Sequence, residues 1–232
     1  MRGLAMNFCE TAYRSVTHRV AAARHSAGRL DEVTLLAVSK TQPVAAIRAV
    51  AALGQRVFGE NYVQEALAKQ RELADPTLEW HLIGPLQSNK CREVAEHFDW
   101  LQSLDRTKLI EPLSRHRATA SAPLNVLIQV NIDDEDSKSG CTPAQVTALA
   151  DEITAAPNLR LRGLMAIPAP APDLERRRNA FCRMRALFDE LCASRVGIDT
   201  LSMGMSDDFE LAIAEGATMV RVGTALFGAR SR

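Results

Sequence analysis

The chain has 232 residues, with 28 Lys+Arg against 28 Asp+Glu, a net charge of zero and 47% hydrophobic residues. Such a composition suits a soluble globular protein with a full core. Neutral charge argues against a general nucleic-acid or membrane-surface binder, because both need a net basic field, and no apolar run approaches the ~18 residues of a membrane span.

A first helix is predicted over about Met6 to Ala27, where Cys9, Tyr13, Val16, Val20 and Ala23 form one apolar stripe. Strands and helices then alternate. Thr34 to Ser39 reads as a strand, and Pro43 opens a helix. Val57 to Asn61 is a strand, followed by helical YVQEALAKQREL. Glu79 to Gly84 is a strand, with a helix near Ser88 to His97. Asp99 to Leu104 is a strand, with Arg106 to Ala118 helical. Asn125 to Ile132 is the clearest strand, and Pro143 opens a helix to about Ala155. A strand starting near Leu159 runs to Ile167. Leu174 to Cys192 is helical, with Leu174, Phe181, Met184, Phe188 and Leu191 on one face. Thr200 to Gly204 is a strand, and Asp207 to Ala214 a helix with Ser206 as its N-cap. Met219 to Gly223 is the last strand, before a short terminal helix.

Short apolar strands alternating with helices imply parallel βαβ units. The expected fold is an α/β single (β/α)8 TIM barrel with an extra N-terminal helix. An open doubly wound sheet calls for a glycine-rich fingerprint after the first strand, and SKTQP is nothing like one. Residues 1–232 read as one domain, with the leading helix over about 6–27 and the barrel over about 34–228. The N-terminus lacks an apolar signal core, which points to a cytoplasmic protein. The cysteine count is odd and no CxxC occurs, so reduced thiols are expected. The histidines show no metal-ligand spacing, so no metal site is expected.

In such a barrel the site lies at the C-terminal strand ends. Alternation puts Leu36, Val38 and Lys40 on one face of the first strand, assigned to the interior. A lysine desolvated there is a Schiff-base nucleophile; the other reading is a lysine snorkelling into solvent. SMGMSDD and RVGTALFG follow the last two strands, with Gly204, Gly223 and Thr224 at the turns. Backbone N–H groups at such turns suit a phosphate, unless the glycines only end the strands. Arg221 faces inward between Val220 and Val222; a buried guanidinium needs partners, and a structural salt bridge, for instance to Glu60, competes with a ligand. Pyridoxal 5′-phosphate (PLP) satisfies all three features: aldehyde on Lys40, phosphate at the last two loops, and ring nitrogen toward Arg221. An arginine keeps that nitrogen unprotonated and weakens the ring as an electron sink.

The segments LLAVSKTQP, VFGENYVQEA, WHLIGPLQSNK, GLMAIP, LSMGMSDDFELAIAEG and VRVGTALFG occur in this order along nearly the whole chain. Together with the VNI…SKSG stretch, they resemble the PLP homeostasis protein family, whose barrel is like the N-terminal domain of alanine racemase. The resemblance implies PLP held as a covalent aldimine on Lys40. It implies Asn61 near the cofactor, Ser202, Gly223 and Thr224 on the phosphate, and Arg221 at the ring nitrogen. It also suggests His81, Ile83 and Met203 as pocket lining. Gln42 stands where many relatives carry a second lysine. Lys138 is retained as a secondary contact or a loop cation.

What the resemblance implies is a PLP carrier and regulator without established turnover, handing PLP to PLP-dependent apo-enzymes. It predicts neither nucleic acid nor membrane as partner, and the pattern suggests a monomer. A slow PLP-dependent racemase is the enzymatic alternative, with Lys40 as one proton carrier and a water or His81 as the other. It lacks a tyrosine base, since Tyr13 sits in the leading helix and Tyr62 reads as packing. An aldolase-like barrel using Lys40 on a phosphorylated sugar is a third reading.

Overall fold

The computed structural model describes residues 2–118, 122–133, 139–168 and 173–228. Its strands are β1 (Thr34–Val38), β2 (Val57–Glu60), β3 (Glu79–Leu82), β4 (Trp100–Leu104), β5 (Leu124–Gln129), β6 (Leu159–Met165), β7 (Thr200–Ser202) and β8 (Met219–Val222). They pair in parallel in chain order, and β8 returns to β1 to close the barrel. The closed ring excludes the open sheet. The helices are α1 (Arg2–Ser26), α2 (Val44–Ala52), α3 (Val63–Leu73), α4 (Cys91–His97), α5 (Ile110–Arg117), α6 (Val146–Ala155), α7 (Leu174–Ser194), α8 (Phe209–Ala214) and α9 (Thr224–Phe227). Single 3₁₀ turns lead into α4, α5 and α6.

Alternation along each strand builds two layers. Outward residues such as Ala37, Phe58, Trp80, Leu82, Leu101, Leu201 and Val220 join the helices in the main core. Fully burying side chains like Phe58 or Leu101 contributes roughly 1.5–3 kcal/mol each. The inward residues form two small apolar clusters, Leu36–Val38–Ile83–Met219 and Trp100–Leu127–Met165. Polar residues share the interior with them: His81, Gln102, Ser202 and Arg221 are all buried.

Helix α1 lies against α2, α8 and α9. Val16 and Val20 are buried there, and Arg19 pairs with Glu210 at 2.6 Å. The stripe read from the sequence is the face that packs. Helix α7 departs from expectation in one residue. Phe181, Met184, Phe188 and Leu191 are buried, but Leu174 is 66% exposed. It is the first helical residue after the Asp173 cap, whose side chain accepts from the Glu175 N–H. Helix α8 begins at Phe209, later than expected, with Asp208 as its N-cap residue. The Asp208 carboxylate instead accepts from the Met205 N–H, turning the chain before the helix. No helix among the described residues is long and apolar enough to cross a membrane.

Candidate functional site at the barrel mouth

The strands stop pairing short of their apolar runs, and the residues beyond form the C-terminal mouth. At β1, the Ser39 N–H still donates to Gly59 O, and the Gln42 N–H then donates back to Ser39 O. Lys40 and Thr41 are the corner of this turn. Thr41 has φ of 63°, a conformation costly for a β-branched residue. The turn is held from outside the barrel. Lys69 of α3 is buried, and its ammonium donates to Ser39 O, Glu60 Oε1 and Glu65 Oε1, each at 2.7 Å. Ser39 Oγ donates to Glu60 Oε1 at 2.6 Å, and the Thr41 N–H donates to Glu65 Oε1 at 2.6 Å. Both neighbours of Lys40 are thus tied to one ionic cluster. Burial pushes the Glu60 carboxyl up, against the Lys69 and Ser39 bonds that pull it down. Glu60 pairs with Lys69, which removes it as the partner considered for Arg221. Lys40 itself is half-buried.

Arg221 points into the barrel from β8, 3% exposed. It donates to Ser202 Oγ and to Ala166 O, both at 2.7 Å. Burial brings its pKa down to about 10, against the nearby Asp208 carboxylate. It therefore remains a cation at neutral pH. A guanidinium carries more N–H donors than these two bonds use.

The last two loops are joined. The Arg221 N–H donates to Gly204 O at 3.0 Å, and the Ala225 N–H reaches Ser206 Oγ at 3.4 Å. Gly204 needs its φ of 90°, and a Cβ there would sit 2.5 Å from Ala212 Cβ. Gly223 lies beside Val38 of β1, so the turn into α9 borders the strand that leads to Lys40. Thr224 is exposed as the first residue of α9.

Asn61 follows β2 at the same mouth and is half-buried. Gly84, after β3, lets its backbone approach: a Cβ on Gly84 would meet Asn61 O at 2.2 Å. Ser103 Oγ fixes Gly84 by donating to its carbonyl at 2.6 Å. Ile83 joins Leu36, Val38 and Met219 inside the barrel.

The geometry corrects several expectations. The Met203 side chain is in the outer core with Leu201, not the interior; strand parity gives the inward place to Ser202. The Ser202 hydroxyl lies deep among Arg221 and Gln102, donating to Gln102 Oε1 at 2.7 Å. Its proton is engaged there, and Ser206, read from sequence as a cap, is the serine beside the Gly223–Thr224 turn. His81 is inward but fully buried, stacked on Trp100 with ring centroids 5.0 Å apart. Its ring nitrogens meet Gln102 Nε2 at 2.8 Å and Glu79 Oε1 at 2.7 Å. Neither is open to a ligand at the mouth. Tyr62 is 61% exposed rather than packed. Lys138 lies outside the described residues. Gly84, Ser103, Gln102, Lys69 and Glu65 were not singled out from sequence. Only the strand-end position of Gly84 and Ser103 marked them there.

The profile of the family described as "Alanine racemase, N-terminal domain" matches residues 12–231. A pyridoxal phosphate homeostasis protein of Pseudomonas aeruginosa is 57% identical over 217 residues, covering 93% of each chain. PipY of Synechococcus elongatus, solved with PLP bound, is 42% identical with a TM-score of 0.79, covering 91% of this chain and 99% of PipY. The alanine racemase of Corynebacterium glutamicum, at 20% identity and a TM-score of 0.67, shares the fold over 94% of this chain and 62% of its own. This chain belongs to the pyridoxal phosphate homeostasis protein family, built on the barrel of the alanine racemase N-terminal domain.

Proposed function

We propose that this chain is a single PLP-binding barrel that keeps PLP in reserve and releases it to PLP-dependent apo-enzymes, with no turnover of its own. The observation that carries the reading is the buried Arg221 cation just below the mouth, paired across from Leu36 of β1, the strand that leads to Lys40. A donor-only guanidinium fits an unprotonated pyridine nitrogen. Lys40 would hold the aldehyde carbon covalently, Asn61 would border the ring, and Gly223, Thr224 and Ser206 would hold the phosphate. Ile83 would line the floor. Bound PLP supplies an electrophilic carbonyl and an electron-accepting ring, and Arg221 limits the second. The relatives named for PLP homeostasis and the PLP-bound PipY support this assignment.

The racemase reading is less well supported. His81 is closed off on both nitrogens, and burial lowers its pKa, so it holds no proton at the mouth. The exposed side chains of Tyr62, Ile167 and Met205 stand beyond β2, β6 and β7, where a recipient protein would meet the mouth. We infer a cytoplasmic monomer. Titration with PLP, followed by visible absorption, tests the assignment. A saturable yellow band in the wild type and none in Lys40→Ala is expected. Wild-type spectra equal to free PLP would refute it.

A further inference from the structure

One buried chain of hydrogen bonds links the mouth to the opposite end of the barrel. Arg221 donates to Ser202 Oγ at 2.7 Å. Ser202 Oγ donates to Gln102 Oε1 at 2.7 Å. Gln102 Nε2 meets His81 Nδ1 at 2.8 Å, and His81 Nε2 meets Glu79 Oε1 at 2.7 Å. The direction follows link by link. Arg221 can only donate, so Ser202 accepts from it and gives its own proton to Gln102. Gln102 accepts on oxygen and therefore donates on nitrogen. His81 then accepts at Nδ1 and donates from Nε2 to the carboxylate. Every proton points from the guanidinium toward Glu79, so each bond polarises the next.

Ser202, Gln102 and His81 are fully buried, whereas the Glu79 side chain is 42% exposed at the first residue of β3. The chain runs from a cation just below the mouth to an anion at the far rim. Of the groups facing His81, the carboxylates of Glu79 and Asp99 favour a charged ring, and burial against Trp100 outweighs them. Trp100 stacks on it, Glu79 and Asp99 lie near it, and Arg162 of β6 covers Trp100 and acts on Glu79. Burial lowers the His81 pKa, and the His81 bond holds the Glu79 carboxyl down.

We propose that Gln102, His81 and Glu79 are positioning residues for the cofactor: through Ser202 they fix the guanidinium of Arg221 toward the pyridine nitrogen. This rests on the PLP reading above. None of the three touches the cofactor. Their effect is to commit the Ser202 hydroxyl and so leave Ser202 only as an acceptor for Arg221. Flipping the Gln102 amide would set its NH₂ against the Ser202 proton and its oxygen against an unprotonated Nδ1. The directional chain resists this.

The test has two arms. Long-range ¹H–¹⁵N NMR of the PLP-free chain, with His81 assigned by its loss in His81→Gln, reads the tautomer. Nε2 protonated, Nδ1 bare, and a titration below the ordinary 6.5 are expected. A protonated Nδ1, or titration at or above that value, overturns the chain. The second arm follows PLP release and band position in Gln102→Met, which keeps the side-chain volume but cuts the bonds to Ser202, His81 and the Met219 sulfur. Release about five-fold faster, with a shifted band, is expected for one lost positioning bond. Should Gln102→Met not fold, Glu79→Gln at the exposed rim replaces it, with release about two-fold faster. A folded variant with wild-type release and band overturns the positioning role while PLP binding stands. A wild type that takes up no PLP removes that role together with the cofactor reading, and the NMR arm still decides the chain.

Discussion

The Lys69 ammonium lies 2.7 Å from the carbonyl oxygen of Ser39, the residue immediately before Lys40. A helix on the outside of the barrel thus sets the turn that carries Lys40. Glu65, one helical turn away, takes the N–H of Thr41 on the other side. The left-handed Thr41 is the conformational cost of this arrangement.

Removing Lys69 is predicted to be severe. Lys69→Met leaves the fully buried Glu60 carboxylate without its cation. Breaking a buried pair from one side costs about 3–5 kcal/mol, read as a lower urea midpoint. Lys69→Met combined with Glu60→Gln should recover part of the loss, because the stranded charge is gone. In both variants PLP capture by Lys40 should slow, since the Ser39–Gln42 turn is loosened. An unchanged midpoint in Lys69→Met contradicts the role given to the cluster.

The two serines after β7 should separate. Ser206 adjoins the Gly223–Thr224 turn, while Ser202 serves Arg221. Ser206→Ala is predicted to weaken PLP binding about tenfold, as for a lost hydrogen bond to an anion, and to leave binding of pyridoxal, which lacks the phosphate, unchanged. Ser202→Ala should weaken both ligands. Equal effects of Ser206→Ala on PLP and pyridoxal contradict the assignment.

Stability should depend on pH through the buried chain. Burial lowers the His81 pKa from 6.5. The unfolded chain therefore gains a proton at His81 before the folded one does. This contribution is complete above about pH 6.5 and is lost as pH falls toward the lowered folded value. Glu79 adds to the same trend further down, since its carboxyl is held below 4.5, mainly by His81, and its contribution is lost as pH falls through that lower value. Urea midpoints should drop from about pH 7.5 to about pH 5.5, with a flatter profile in His81→Gln. A His81→Gln profile as steep as the wild type contradicts the neutral buried histidine.

Local sequence made the barrel and its inward faces legible because alternation is a local signal. TLLAVSK places Leu36 and Val38 inside, where they are found with Met219 of β8. MVRVG likewise placed Arg221 inward. The same rule, applied through β7, separates Ser202 from Met203, yet the resemblance alone grouped them. The Lys69 cluster was not legible, because it joins β1, β2 and α3 through contacts up to 30 residues apart. The link between Gln102 and His81 was obscured for a related reason. It spans β3 and β4, and its far partner, Ser202, is 100 residues from Gln102. The start of α8 was misread because Ser206 and Asp208 are both good caps, and only the fold decides which one the turn uses.

The most direct test is borohydride reduction of the PLP-treated protein, followed by peptide mass mapping. One phosphopyridoxyl adduct is predicted, on Lys40, with its loss in Lys40→Ala. An adduct confined to Lys69, Lys90 or another lysine, with Lys40 unlabelled, would contradict it.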